Sequence, residues 1–150
     1  MRTVHPSPLL KTALVADAVV TGAAAVLQLT AASWLSELLA LPRTLLIESG
    51  AFLVAYTVLL IVLARSTRVS SAVIATIVVG NIAWAAGCVG LLVTDALSPS
   101  GLGVAFVIMQ TVAVLIFATL EYLGLKGSEP LAREHAAVAR RRRPTSPETI

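Results

Sequence analysis

The chain has 150 residues, of which 57% are hydrophobic and 13% are charged, and its mean hydropathy is +0.91. A soluble domain carries about 25% charged residues, so this composition excludes an ordinary soluble domain. The net charge of +3 and the pI of about 9.6 give no reason to expect nucleic-acid binding, because the basic residues flank apolar segments instead of forming a patch.

The apolar residues are concentrated in four runs, at 9–32, 44–64, 72–94 and 102–125. Each run is long enough for a transmembrane helix, which needs about 20 apolar residues. We therefore predict an all-α, polytopic membrane protein, with a four-transmembrane-helix bundle formed by residues 1–126. A basic and largely disordered cytoplasmic tail is predicted for residues 127–150.

The first run contains an acidic residue, Asp17. A secretory signal has an apolar core of only about 7–15 residues and rarely includes a carboxylate, so we predict a retained span. Asp17, Thr21, Ala24 and Gln28 recur at the spacing of one helix face. Because an ionisable group is costly to bury in a membrane, Asp17 is the strongest candidate for a functional side chain. A structural role, in which Asp17 is hydrogen-bonded or ion-paired to another helix, is the alternative.

Two features mark the outer side of the predicted bundle. Residues 33–42 predict a short helix in the membrane interface, with Trp34 at headgroup depth and Pro42 at its end. The second run then carries Glu48 about one turn from its start. Pairing of Glu48 with Arg43 at the membrane surface is the alternative to a role inside the bundle.

Polar and small residues interrupt the third run near its middle. Asn81 lies near mid-depth and Trp84 one turn further along the predicted helix. A stripe of small residues predicts close helix packing within a protomer or between protomers, as in a homodimer or a larger membrane complex. It consists of Gly80, Ala83, Gly87 and Gly90. Core packing is the alternative to a cavity-lining role for Trp84.

The fourth run repeats the polar spacing of the first, with Gln110 and Glu121 on one face. Since the two helices run in opposite directions, Asp17 and Glu121 lie in the same half of the membrane. We predict two polar layers, one formed by Asp17, Asn81 and Glu121 and the other by Gln28, Glu48 and Gln110. The alternatives are a Glu121 side chain that reaches the surface beside Lys126 and amides that only join helices through hydrogen bonds.

The basic residues predict the orientation of the chain. Of the 11 basic residues, only Arg43 falls in the connectors on one side of the membrane, so the positive-inside rule places both termini in the cytoplasm. The tail is expected to contact anionic lipid headgroups. The residues assigned to topology or headgroup contact are Arg65, Arg68, Lys126, Arg140, Arg141, Arg142 and Arg143.

The second and fourth runs align without gaps. Ala51-Phe52 matches Ala105-Phe106, and Thr57-Val58 matches Thr111-Val112, at one constant offset. Two repeated helical hairpins of the same orientation are one interpretation. The alternative is chance, because apolar sequence of low complexity aligns easily with itself.

Four segments of the chain carry a resemblance to known proteins. They are LxxDAVVTGAAAVL, LLALPRTLLIESGAFLVAY, GNIAWAAG and GLGVAFVxxQxxAVLxFAxLEYLGL. Over about residues 9–126 the chain resembles an uncharacterised family of small four-span bacterial membrane proteins, of the actinobacterial type. The resemblance implies four spans and the bacterial inner (plasma) membrane, and supplies no catalytic residues. The residues that match are Asp17, Gly22, Pro42, Gly50, Asn81, Trp84, Gln110 and Glu121.

The sequence offers no motif for a known cofactor, metal or nucleophile, so no cofactor and no metal are expected. We expect a non-enzymatic membrane protein that binds a lipid or small ligand or serves as an accessory subunit. A proton-coupled transporter with Asp17 as the titrating carboxylate is the alternative. Its four-span plan is similar to that of the small multidrug resistance transporters. A lipid- or quinone-modifying enzyme is a third hypothesis.

Overall fold

A computed structural model of the chain describes residues 3–94 and 97–130. Its helices are α1 (Pro8–Thr30), α2 (Ala32–Leu39), α3 (Arg43–Arg65), α4 (Ser71–Val93) and α5 (Gly101–Lys126). All except α2 are long and apolar enough to cross a membrane. The predicted fold class, an all-α chain with four transmembrane helices, is confirmed, and the protein is a multi-pass membrane protein.

Local sequence signals fix the helix ends. Ser7 begins α1, where its hydroxyl accepts a hydrogen bond from the backbone nitrogen of Leu10 and Pro8 occupies the first turn. Ser100 caps α5 in the same way. The short helix α2 ends at Ala40, whose φ of 52° lies in the left-handed region. That conformation costs a non-glycine residue about 1–2 kcal/mol and turns the chain sharply from α2 into α3.

The long helices form a bundle with one loose side. Helix α1 packs against both α3 and α5, and α5 also packs against α4. Helices α3 and α4 face each other on the remaining side of the bundle but make little direct backbone contact. We call the space between them the α3/α4 seam.

Three short strands close one end of the bundle, which we call the sheet end. They are β1 (Thr3–His5), β2 (Val69–Ser70) and β3 (Glu129–Pro130), paired antiparallel with β1 in the centre. The strands join the N-terminal segment, the α3–α4 connector and the segment after α5. Residues 129–130 thus pair with the N-terminal strand, and the division of the chain at residue 127 stays a prediction. Residues 131–150 lie outside the described part of the chain.

Helix α2 covers the opposite end of the bundle, which we call the α2 end. The backbone nitrogen of Ser100 donates to the Leu39 carbonyl at 2.9 Å, and the Ser100 hydroxyl donates to the Leu38 carbonyl at 2.8 Å. A Cβ at Gly103 would collide with that Leu39 carbonyl, so glycine is required where α5 passes α2. Trp34, on the outer side of α2, is 60% exposed.

Apolar side chains fill both ends of the interior. The sheet-end cluster consists of Val4, Leu10, Leu14, Ala18, Leu60, Val69, Ile74 and Ile77. The α2-end cluster consists of Leu35, Leu39, Leu41, Leu46, Cys88 and Val107. Polar side chains and a cavity lie between the two clusters, at the depth where a membrane would surround the helices.

Candidate functional site

A hydrogen-bonded set of polar side chains, one or two from each long helix, lies next to the sheet-end cluster. The Thr21 hydroxyl donates to Asp17 Oδ1 at 2.7 Å. The Tyr56 hydroxyl donates to Asn81 Oδ1 at 2.8 Å, and Asn81 Nδ2 donates to Glu121 Oε2 at 3.1 Å. We call these five residues the polar cluster. They connect α1, α3, α4 and α5 through side chains alone.

The single proton of the Tyr56 hydroxyl faces two acceptors. Asn81 Oδ1 lies at 2.8 Å and Asp17 Oδ2 at 3.4 Å. Because a hydroxyl hydrogen bond is strongest near 2.7–2.8 Å, Asn81 is the main acceptor. Asp17 receives its short hydrogen bond from Thr21 instead. The Tyr56 hydroxyl therefore lies between the Asp17 carboxyl group of α1 and the Asn81 amide of α4. It forms a short hydrogen bond only with the amide.

Both carboxyl groups of the polar cluster are removed from solvent. Asp17 is 1% exposed and Glu121 is 0% exposed. Glu121 Oε1 has no hydrogen-bond partner in the structure. Lys126 lies over the Tyr122 ring, with Nζ 4.6 Å from its centroid, so the structure does not place Glu121 at the surface beside Lys126. Burial of a carboxylate oxygen without a hydrogen-bond partner costs free energy. Glu121 Oε1 can therefore still accept a hydrogen bond.

Asp17 and Glu121 also lie close enough to interact directly. Two carboxyl groups side by side in a medium of low dielectric repel strongly when both are ionised. Such a pair is most stable when it holds a proton between its oxygens, as in the carboxylate pairs of enzymes that share one proton. Side by side, the two carboxyl groups can thus share one proton.

A cavity of about 600 Å³ extends from the polar cluster towards the α2 end. This volume falls within the range of about 300–1,000 Å³ that is usual for small-molecule sites. Thr21, Tyr56 and Asn81 line the end near the polar cluster. Asp17 and Glu121 are not among the lining residues, because the other three lie between the carboxyl groups and the open space.

The opposite part of the cavity carries a second polar set. The Ser49 hydroxyl donates to Gln28 Oε1 at 2.6 Å, and both residues line the cavity together with Gln110. Gln28 lies seven residues from Thr21 along α1, which is about 10 Å along a helix axis. Glu48, which the sequence predicted in this layer, is instead exposed on α3. Its predicted partner Arg43 donates from Nε to the Ser33 hydroxyl at 3.1 Å.

Aromatic rings cross the α3/α4 seam. Phe52 of α3 stacks on Trp84 of α4 with ring centroids 5.5 Å apart and planes 7° apart, and on Tyr56 with centroids 6.3 Å apart. All three residues line the cavity. Trp84 Nε1 is buried without a hydrogen-bond partner. Side chains rather than backbone contacts thus bridge the seam.

The small residues of α4 make room for the cavity. A Cβ added at Gly80 or Gly87 would meet nothing within 4 Å, and both residues line the cavity. The stripe of small residues is therefore not used for close helix packing within the chain. The absence of a side chain at Gly80 and Gly87 leaves space for the cavity on the α4 side.

The residues predicted for topology or headgroup contact that the structure describes lie away from the cavity. Arg65, Arg68 and Lys126 are exposed near the sheet end. Arg140, Arg141, Arg142 and Arg143 lie outside the described residues. Within residues 3–94 and 97–130, no three His, Cys, Asp or Glu side chains come together as a metal site requires.

Comparison with protein-family models, with curated proteins and with solved structures gives no match for the chain. The chemistry of the site therefore follows from its own residues. Sequence reasoning missed Tyr56, which holds the centre of the polar cluster, and Ser49, which holds Gln28. A signal was present, because Ser49, Phe52 and Tyr56 recur at the spacing of one helix face.

Proposed function

We propose that the protein binds an apolar or amphiphilic small molecule, taken from the surrounding bilayer, in the cavity between its four long helices. The observation that supports this proposal is a cavity of ligand size. Apolar side chains close its two ends, whereas α3 and α4 make little backbone contact along one side. Its walls are mainly apolar and aromatic, with polar groups confined to two places. That composition is typical of sites for small molecules.

The route of entry follows from what surrounds the cavity. The sheet-end cluster and the strands block one end, and α2 with the α2-end cluster covers the other. The α3/α4 seam is bridged by the Phe52 and Trp84 rings, and Phe52 is 56% exposed. Rotamer changes of surface side chains occur within nanoseconds, whereas opening either end requires helices to separate. Entry through the seam, from the hydrocarbon, is therefore the easier route.

We propose the bacterial plasma membrane as the location, with both termini in the cytoplasm. Exposed Arg65, Arg68 and Lys126 near the sheet end support this orientation under the positive-inside rule. The resemblance to small four-span bacterial proteins supports the same membrane. Anionic lipid headgroups are then the natural contacts of these basic side chains. A homodimer or larger complex stays a prediction, since the small residues of α4 have a use inside the chain.

A proton-coupled transporter is the second candidate function. The close approach of Asp17 and Glu121 favours it, because this pair can hold a proton beside the cavity. Transport would require the sheet-end cluster and the α2-end cluster to open in turn. The third hypothesis, an enzyme, has less support, because Thr21, Tyr56 and Asn81 separate both carboxyl groups from the cavity.

A fluorescence experiment tests binding in the cavity. The chain has two tryptophans, so Trp34→Phe leaves Trp84 as the sole reporter on the cavity wall. Bromododecane, an apolar quencher, is added to this protein in lipid nanodiscs. We expect saturable quenching on top of the linear quenching that collisions in the bilayer produce. Quenching that stays linear at all concentrations would contradict the proposal.

Two glycines of α4 provide a matched pair of variants. Gly87 lines the cavity and Gly90 does not, and a Cβ at either position meets nothing within 4 Å. Gly87→Leu is therefore expected to fill the cavity and abolish the saturable quenching. Gly90→Leu is expected to retain it. Equal behaviour of the two variants would mean that the probe does not occupy the cavity.

A further inference from the structure

The proposal that follows rests on the proposed binding function and concerns the chemistry of the ligand. The end of the cavity next to the polar cluster presents oxygen atoms of three residues, Thr21, Tyr56 and Asn81. A hydroxyl has one hydrogen to donate and two lone pairs that accept, and an amide oxygen also has two lone pairs. The hydrogens and lone pairs that are still unpaired decide which hydrogen bonds a ligand head group can form at this end of the cavity.

The hydroxyl hydrogens at this end are already committed. Thr21 donates to Asp17 Oδ1 at 2.7 Å and Tyr56 donates to Asn81 Oδ1 at 2.8 Å. Neither hydroxyl can donate to a ligand without breaking a short bond to a buried acceptor. Their oxygens, however, keep lone pairs. One amide hydrogen of Asn81 is likewise committed, to Glu121 at 3.1 Å.

The polar cluster as a whole has more acceptors than donors. Asp17 and Glu121 together supply four carboxyl oxygens, and Glu121 Oε1 has no partner although the residue is 0% exposed. At the end of the cavity next to the polar cluster, a ligand head that only accepts hydrogen bonds would find few free donors. The unpaired Trp84 Nε1 is a donor, but it lies one turn beyond Asn81 along α4. A head that donates would find lone pairs on residues that line the cavity. Buried polar groups left unpaired are costly, and this cost is how such sites select their ligands.

Among residues 3–94 and 97–130, no Lys, Arg or His lines the cavity. An anionic head, such as a phosphate or a carboxylate, would therefore lie beside Asp17 and Glu121 without a compensating cation. Like charges at close range in a dry site repel strongly. The anionic phospholipids and the fatty acids of a membrane are accordingly poor candidates for this end of the cavity.

We propose that the cavity selects an amphiphile whose head donates hydrogen bonds, a hydroxyl or an ammonium group, seated against Thr21, Tyr56 and Asn81. Its apolar chain lies along Phe52 and Trp84 towards Gln28. Esters, ethers, quinones and anionic heads are disfavoured at this end of the cavity by the same geometry. A long-chain alcohol and a long-chain primary amine share the required chemistry.

Probes of one chain length separate these possibilities. The Trp34→Phe protein in nanodiscs is titrated with ω-bromododecanol and with the methyl ether of the same alcohol. Because one hydrogen bond makes a modest net contribution, we expect saturable quenching by the alcohol to be about two- to tenfold tighter than quenching by the ether. ω-Bromododecylamine and the corresponding trimethylammonium compound form a second pair, in which the charge is kept and the donor removed. We expect the amine to bind more tightly, and ω-bromododecanoic acid to bind most weakly.

The outcomes separate this proposal from the proposed function. If alcohol and ether bind equally while Gly87→Leu abolishes both, the cavity binds ligands but does not select donors, and the proposal falls. If trimethylammonium binds as well as the amine, charge alone is recognised, which also overturns it. Binding of the alcohol and amine, each above its capped partner, supports it and reports whether the charge adds affinity.

Tyr56→Phe tests the assigned residue. The variant removes one acceptor oxygen and keeps the ring that stacks on Phe52. We expect the preference for the alcohol over the ether to change, because the Tyr56 oxygen is lost and Asn81 Oδ1, which accepted its hydrogen, is freed. Quenching by unsubstituted bromododecane should remain saturable. The bromododecane control shows that the variant is folded. An unchanged preference in a folded variant would exclude Tyr56 from ligand recognition.

Discussion

Asn81 of α4 donates its side-chain amide to the Glu121 carboxyl group of α5 at 3.1 Å, and the two residues are 5% and 0% exposed. The other side of the same amide accepts the Tyr56 hydroxyl from α3. One asparagine therefore connects the two sides of the α3/α4 seam, where the backbones make little contact. The polar cluster replaces the missing backbone packing with side-chain hydrogen bonds.

Asn81→Leu is expected to destabilise the bundle. The variant leaves the Tyr56 hydroxyl and a Glu121 oxygen without their partners in a buried site, and each unpaired group costs about 1–3 kcal/mol. Thermal unfolding in detergent should show a clearly lower midpoint. Gln110→Leu, a change of the same type at a half-buried cavity position, is the control and should have a smaller effect. Equal midpoints for the two variants would mean that the Asn81 hydrogen bonds contribute little.

Gly124→Ala is expected to separate α1 from α5. A Cβ at this position would lie 2.7 Å from the Leu10 backbone nitrogen and Cα, a contact that requires one helix to move. Overpacking of this kind costs about 1–3 kcal/mol. Gly80→Ala is the matched control, because a Cβ there meets nothing within 4 Å. That variant should be neutral or slightly stabilising, since alanine favours helices by up to about 1 kcal/mol over glycine. A stable Gly124→Ala protein would contradict the close approach of these helices.

The depth and face of the main polar residues could be predicted from sequence. Helical periodicity and the alternating direction of the spans place Asp17 and Glu121 in one half of the membrane and Gln28 and Gln110 in the other. The structure brings Asp17, Asn81 and Glu121 together, and it places Gln28 with Gln110 on the cavity. Glu48 belongs to neither group, because it lies on an exposed face of α3. The sequence could not show which face of α3 is exposed without knowledge of the neighbouring helices.

The neighbours of each helix could not be predicted from sequence. Each span is apolar over most of its surface, so its pattern does not indicate which helix each face contacts. If the two hairpins were exact repeats, α3 would pack on α4 as α1 packs on α5. In the structure α1 packs on α5, but α3 makes little contact with α4. The cavity and the α3/α4 seam therefore depend on this departure from the symmetry of a repeat. The strands were also missed, because segments such as Val69–Ser70 are too short to show the alternating pattern of a strand.

Cys88 provides a test of water access. It is the only cysteine of the chain, it lines the cavity, and it is 9% exposed. Charged thiol reagents react with thiolates in water, so we expect Cys88 to be protected from them on both sides of a sealed vesicle. Trp34→Cys in a Cys88→Ala protein is the positive control, because Trp34 is 60% exposed. Rapid labelling of Cys88 would reveal an aqueous path and would favour transport over lateral entry.

The Asp17–Glu121 pair is expected to share a proton when the protein is embedded in lipid. We expect an infrared band of a protonated carboxyl group in the purified protein in lipid, shifted by exchange into deuterated water. Asp17→Asn and Glu121→Gln should each change this band, because each removes one half of the pair. Glu48→Gln should leave it unaltered, since Glu48 is exposed on α3. Absence of the band in the unaltered protein would mean that both groups are ionised, and the proton-coupled alternative would then lose its basis. If the band responds to bromododecanol binding, proton occupancy and ligand binding are linked, because a donor at Tyr56 and Asn81 competes for the same acceptors.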